Sequence, residues 1–257
     1  MVAGSNPVSP TEKTRSDQRQ AEKDDAKMST LCGGRPTCRQ GMAYLTLPEL
    51  RFLAVPQESP PGLARERINV SDEIRAVGPP PLPVLPDPFS VRVATVSDAG
   101  LVADWMRRPH LAATWEYDWP VSRWQRHLSA QLDGTYSLPL VGRIDGVAHT
   151  YFELYRAARD SVAEYYQYDP HDVGLHVAVG DPGDVHRGLA AKVFPHLIGG
   201  VFEGDAQCHR IVFDPDHRNV AARRACEYFG CRYLGEYEMP RRRMALYLYE
   251  RPSMKLG

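Results

Sequence analysis

Apolar and polar positions change rhythm several times between residues 89 and 257. Ser90–Thr95 alternates with period two and is rich in β-branched residues, which predicts a strand. Ser97 can then cap a helix running to about Met106, which Pro109 is expected to end. A second helix is expected from Val121 to about Leu132, stopped by Gly134. Leu138–Ile144 and Val147–Tyr155 read as strands joined by the hairpin turn Asp145-Gly146. Val173–Val179 is another strand, followed by a turn over Gly180–Asp184 and a helix over Val185–Phe202. Arg210–Phe213 is a short strand, and Asn219–Tyr228 a helix closed by Gly230. Arg232–Tyr237 and Met244–Tyr249 form a last pair of strands. This order predicts an α/β domain with a mixed, mostly antiparallel sheet and helices on its faces.

Upstream of residue 89 the pattern dissolves. Residues 1–88 hold 13 of the 22 prolines but two of the 24 aromatics, Tyr44 and Phe52. Such a stretch cannot bury enough apolar surface to offset its ordering entropy. Residues 1–62 are therefore expected to be a disordered extension. Residues 63–77 can make one amphipathic helix, and the Pro-rich run to residue 88 a stiff spacer. The compact domain is expected over 89–257.

Composition narrows the function. Lys+Arg is 31 against Asp+Glu 32 in 257 residues, so bulk charge does not hold this chain to nucleic acid. No apolar run approaches the roughly 20 residues of a membrane span, and the first residues do not read as a secretory signal. Five irregularly spaced cysteines favour neither a disulfide framework nor a zinc site, so a reducing cytoplasm is the expected compartment. The nine histidines are scattered without metal-ligand spacing, so no bound metal is expected, and the chain is expected to be a monomer. There is no nucleophile elbow, phosphate-binding Walker loop or zincin motif.

Two stretches carry a family resemblance. Gly183–Ala190 joins a strand to a helix and has small residues at Gly188 and Ala190, with Val185 where Arg or Gln is usual. Asn219-Val220-Ala221-Ala222 is followed by Gly230 and then Leu234-Gly235-Glu236. Both resemble the pyrophosphate loop and last helix of the GNAT acyl-coenzyme-A-dependent N-acyltransferases. Longer strings are more specific: Pro109-His110-Leu111, Trp115 to Pro120, Glu153-Leu154-Tyr155, Gly174-Leu175-His176 and Phe213 to Asn219. They are similar to the siderophore-pathway members of that family, nearest to the lysine N-acyltransferases of mycobactin assembly. The likeness spans about Leu63 to Arg251.

The resemblance implies transfer of a medium- or long-chain acyl group from an acyl carrier protein or acyl-CoA to the ε-amino group of a lysine or hydroxylysine of a siderophore. The thioester is a co-substrate, and no tightly bound cofactor is implied. A free amine near pKa 10.4 is only about 0.04% neutral at pH 7, so attack on a thioester needs a base. The resemblance places that base at Asp214 and a substrate contact at His176. Trp115, Trp119 and Glu153 are further candidate substrate contacts. Trp115 and Trp119 can wall an acyl channel or belong to the core, and Glu153 can be a plain cross-strand partner. Arg187, Gly188, Ala190 and Asn219 are the candidate thioester-binding positions, because small residues let phosphate approach the amides that open a helix. The basic run Arg241-Arg242-Arg243 can be a solvated turn or meet an acidic carrier. Rival readings are a short-donor GNAT enzyme, such as an aminoglycoside acetyltransferase, and a non-catalytic module that only binds an acyl carrier.

Overall fold

The computed structural model describes residues 65–115, 117–239 and 242–252, all within one compact unit, Ala54–Gly257. The expected extension over 1–62 lies outside the described residues.

A seven-stranded sheet organises the rest. Its strands are β1 (Phe89–Val93), β2 (Ser137–Ile144), β3 (Val147–Arg156), β4 (Val173–Val179), β5 (Arg210–Phe213), β6 (Arg232–Glu238) and β7 (Arg243–Glu250). Their spatial order is β1-β2-β3-β4-β5-β7-β6, antiparallel throughout except between β4 and β5. The helices are α1 (Asp72–Ala76), α2 (Ala99–Met106), α3 (Pro109–Trp115), α4 (Val121–Asp133), α5 (Pro182–His186), α6 (Leu189–Gly204) and α7 (Val220–Tyr228). One core cluster packs α6 and Cys226 of α7 against the sheet through Leu197, Val201, Phe152 and Ile211. A second packs α2 and α4 through Val102, Met106, Trp124 and Leu128 against Val141, Tyr151 and Ala178.

The β4–β5 pair is the feature that makes a cleft. The two strands are in register only at Val173–Ile211 and Gly174–Val212. β4 then continues to Val179, while β5 ends at Phe213. Backbone hydrogen bonding between them stops, so the middle of the sheet opens beyond Gly174. That glycine is required there: a Cβ on it would lie 2.0 Å from Cζ of Tyr155, whose ring covers its backbone.

Three local expectations are corrected. Pro109 opens α3 rather than closing the previous helix, because a proline is tolerated in a first turn whose N–H groups have no helical partner. The turn after β4 contains α5, with Pro182 at its start and Asp181 accepting from the Gly183 amide. The helix expected from Val185 is consequently split at Gly188, which adopts a left-handed φ of 69°.

The segment before β1 is more closely attached than its composition indicates. The helix expected over 63–77 is limited to α1, capped by Ser71. Residues 65–67 instead pair with a loop of the domain: Glu66 bridges Asp160, the Arg67 amide donates to Arg159, and the Ser161 amide donates to Arg65. The proline run lies along α6, where Cβ atoms on Gly200 and Gly204 would meet Val84, Pro83 and Pro81. Arg156, buried at the end of β3, donates to the carbonyls of Gly78 and Pro79 and pairs with Asp205 at 2.7 Å. Arg156→Ala would leave Asp205 with less compensation and release this run. We expect a loss of about 3 kcal/mol in urea unfolding.

Candidate active site

Strand alternation places the chemistry. Side chains two apart on a strand share a face, so Tyr151, Glu153 and Tyr155 of β3 point the same way. In the β3–β4 register Glu153 faces His176 and Tyr155 faces Gly174. Asp214 follows the last residue of β5, where that strand parts from β4. His176 and Asp214 are therefore brought to one site, with Nε2 2.9 Å from Oδ1.

Asp214 is fully buried and crowded. Its Oδ1 also accepts from the Tyr155 hydroxyl at 3.1 Å. Its Oδ2 accepts from Arg65 and from Arg242, both at 2.7 Å. Burial pushes its pKa upward, but Arg65, His176 and Arg242 override this and hold it well below the usual carboxylate range.

On the other side of the imidazole, Nδ1 lies 3.0 Å from Oε2 of Glu153. The other oxygen of Glu153 meets Nε2 of His127 at 2.9 Å and accepts from the Tyr151 hydroxyl at 2.9 Å and from Gln131 at 3.3 Å. Burial again pushes upward, and His127 and His176 bring the Glu153 pKa well below its ordinary value. The His176 pKa is raised: burial lowers it, but the Asp214 and Glu153 carboxylates more than compensate, against a further downward push from Arg65.

The other predicted positions fall into two groups. Trp115 is half-buried and sets its ring edge-on to His176 at 5.7 Å. Trp119 is buried one layer deeper, stacked on Tyr117 at 4.1 Å and beside Trp124 and His127. Glu153 contacts His176, and its oxygens all have internal partners. Three of the thioester candidates follow the far end of β4, just past α5. Gly188 caps α6, with open space where a Cβ would project, and Ala190 is in its first turn. Arg187 is exposed and paired with Asp184. These residues fit a pyrophosphate at the opening amides of a sixteen-residue helix. Val185 is packed against the core and offers no charge there. Asn219 accepts from the Ala222 amide and so caps α7.

Sequence reasoning missed Arg65 and Arg242. The sequence pattern puts Arg65 in a helix ahead of the domain, and Arg242 in a basic run that is a solvated turn or a contact for an acidic carrier. Arg242 instead turns inward to Asp214, while Arg243 pairs with Glu236. Arg241 lies outside the described residues. Among the described residues no group of His, Cys, Asp and Glu is arranged to hold a metal, and no helix is long and apolar enough to cross a membrane.

A sheet parted between two parallel strands, with a glycine-capped helix after the first, defines an acyltransferase scaffold. The chain belongs to the GNAT acetyltransferase family, whose domain matches residues 94–239. It is 52% identical to Lysine N-acyltransferase MbtK of Mycobacterium tuberculosis (strain ATCC 25618 / H37Rv), over 74% of this chain and 91% of that protein. It is 55% identical to Lysine N-acyltransferase MbtK of Mycobacterium sp. (strain MCS), over 74% of this chain and 79% of that protein. Its fold is shared by aminoglycoside acetyltransferase AAC(6')-Ib in complex with coenzyme A, with a TM-score of 0.57 at 21% identity, covering 63% of this chain and 95% of that one.

Glu153→Gln removes one of the two anions that raise the His176 pKa. Its imidazole should then titrate about one pH unit lower, measured by NMR of ring-labelled histidine.

Proposed function

We propose that this protein is a lysine N-acyltransferase of mycobactin-type siderophore assembly. The observation that carries this reading is the Asp214–His176 pair, set 2.9 Å apart where β4 and β5 separate. The extent and identity of the match to the lysine N-acyltransferases supports the acceptor.

The acceptor's ε-amine binds as an ammonium beside Asp214, and the acyl thioester lies in the gap between the strands. The Asp214–His176 pair is the base: the Asp214 carboxylate draws the proton in, and it comes to rest on the His176 imidazole, because the Asp214 pKa is held low and that of His176 is raised. The freed amine attacks the thioester carbonyl carbon, forming the N–C bond and a tetrahedral oxyanion, which backbone amides of the open strand edge stabilise. The C–S bond then breaks. Of the two protons the nitrogen gives up on becoming an amide, the leaving thiolate takes one and the other passes to solvent, so the pair is reset for the next turnover.

Trp115 borders the acceptor, with Trp119 supporting the aromatic wall behind it. A long acyl chain lying against such a wall gains about 0.8 kcal/mol per buried CH₂. The donor is an acyl thioester of coenzyme A or of an acyl carrier protein. The uncharged Val185 position favours a carrier-borne donor, whose protein surface supplies binding that a weak pyrophosphate loop does not.

Incubating the protein with lysine or a desacyl siderophore and a panel of thioesters, followed by mass spectrometry, tests the reading. Lauroyl transfer to the ε-nitrogen should exceed acetyl transfer. Acylation of an aminoglycoside instead, or of no acceptor, would refute it. Asp214→Ala should reduce kcat by about 10²-fold or more, and a rate like that of the unaltered protein would remove Asp214 from the mechanism. The pH profile has a defined sign. Because His176 must be unprotonated to help accept a proton, kcat/KM should fall as pH drops through its raised pKa. The acid limb therefore lies above about 6.5, the ordinary histidine value.

A further inference from the structure

Arg65 lies outside the matched acyltransferase domain, yet its guanidinium sits in the centre of the site. Nε and Nη2 donate to Oδ1 of Asp160, at 3.2 and 2.8 Å. Nη2 also donates to Asp214. Nη1 lies 3.0 Å from Nε2 of His176. Asp160 is wholly buried, and its other oxygen accepts from the Tyr136 hydroxyl at 2.9 Å. The backbone around Arg65 is pinned by the Glu66–Asp160 bridge and by hydrogen bonds to and from residues 159 and 161. This is a built-in part of the site, tied to two buried carboxylates.

The contacts at Nε2 impose opposite demands. A guanidinium only donates, so Nη1 needs a lone pair on Nε2. Asp214 only accepts when ionised, so its Oδ1 needs a proton on Nε2. With the lone pair present, the ring's single proton resides on Nδ1, where Glu153 accepts it. The 2.9 Å space between Nε2 and Oδ1 then lacks the one proton that would make it a hydrogen bond.

We infer that Arg65 is a positioning residue for the transfer: it holds the Asp214–His176 pair one proton short until the acceptor amine supplies that proton. The amine's proton enters between Nε2 and Oδ1, and the imidazolium so formed is held by Glu153 and Asp214. Return of the proton to the leaving thiolate restores the contact with Arg65. This inference rests on the proposed reaction for its role, but not for its electrostatics.

The full chain carrying Arg65→Ala and Arg65→Lys tests it, by two readouts. In NMR titration without substrate, Arg65→Ala should raise the pKa of His176 by about one unit, because a nearby cation has been removed. Arg65→Lys keeps the charge and should stay within a few tenths of the unaltered protein. In turnover, the acid limb of kcat/KM should move up with Arg65→Ala, and kcat should fall about 10²-fold, with partial recovery in Arg65→Lys. An unmoved His176 titration in both variants would overturn the inference, whatever happens to activity. A lower acceptor KM with unchanged kcat would also overturn it, since Arg65 would then be a stand-in for the substrate ammonium. A shifted titration in a protein that acylates no lysine would retain the electrostatic assignment and refute the proposed reaction instead.

Discussion

An ionised carboxylate removed from water must find cations or hydrogen-bond donors close by, and three such groups converge here. Asp214 and Asp160 have no exposed side-chain surface, and Glu153 is nearly as enclosed. Their partners come from seven places in the chain: Arg65 before α1, His127 and Gln131 on α4, Tyr151 and Tyr155 on β3, His176 on β4, Tyr136 before β2, Arg242 before β7 and the Val162 amide just after Asp160. Satisfying these anions fixes how the elements meet. The same requirement explains why a segment with few apolar residues stays attached, since Arg65 is held by charge where hydrophobic burial is scarce.

The cleft and the charge cluster depend on each other. Parting of β4 from β5 leaves room at the sheet's centre, and Gly174 lets the Tyr155 ring fill the last paired position. That ring directs its hydroxyl at Asp214. The site has one more buried carboxylate than arginine, with Asp214, Asp160 and Glu153 set against Arg65 and Arg242. On the proposed reaction, proton transfer there would rearrange a small number of hydrogen bonds among groups already held in place, so little has to reorganise.

Much of this was legible in the sequence because it is written in local pattern. Val173–Val179 and Arg210–Phe213 have the expected bounds, since apolar runs flanked by turn residues identify buried strands. The pairing of His176 with Asp214 was legible too, because it needs only neighbouring strands and the resemblance of their flanking residues. Helix bounds near prolines were not: Pro109 and Pro182 start helices, and a proline reads alike as an end or a beginning. Arg65 was illegible for a different reason. Its partners lie 95, 111 and 149 residues further on, and an arginine in a polar stretch carries no periodic signal. Trp119 illustrates the remaining ambiguity, because an aromatic near a cleft and an aromatic in the core look the same along the chain.

The central claim is that a lysine nitrogen reaches the Asp214–His176 pair while the thioester occupies the opening between β4 and β5. A crystal structure with a bisubstrate analogue, a lysine ε-nitrogen joined through an acyl linker to a pantetheine thiol, tests this directly. The account predicts the nitrogen about 3 Å from Oδ1 of Asp214 or Nε2 of His176, with the pantetheine arm running toward Gly188. An analogue bound with its nitrogen outside hydrogen-bonding reach of both groups, or lying wholly outside the parted strands, would contradict it.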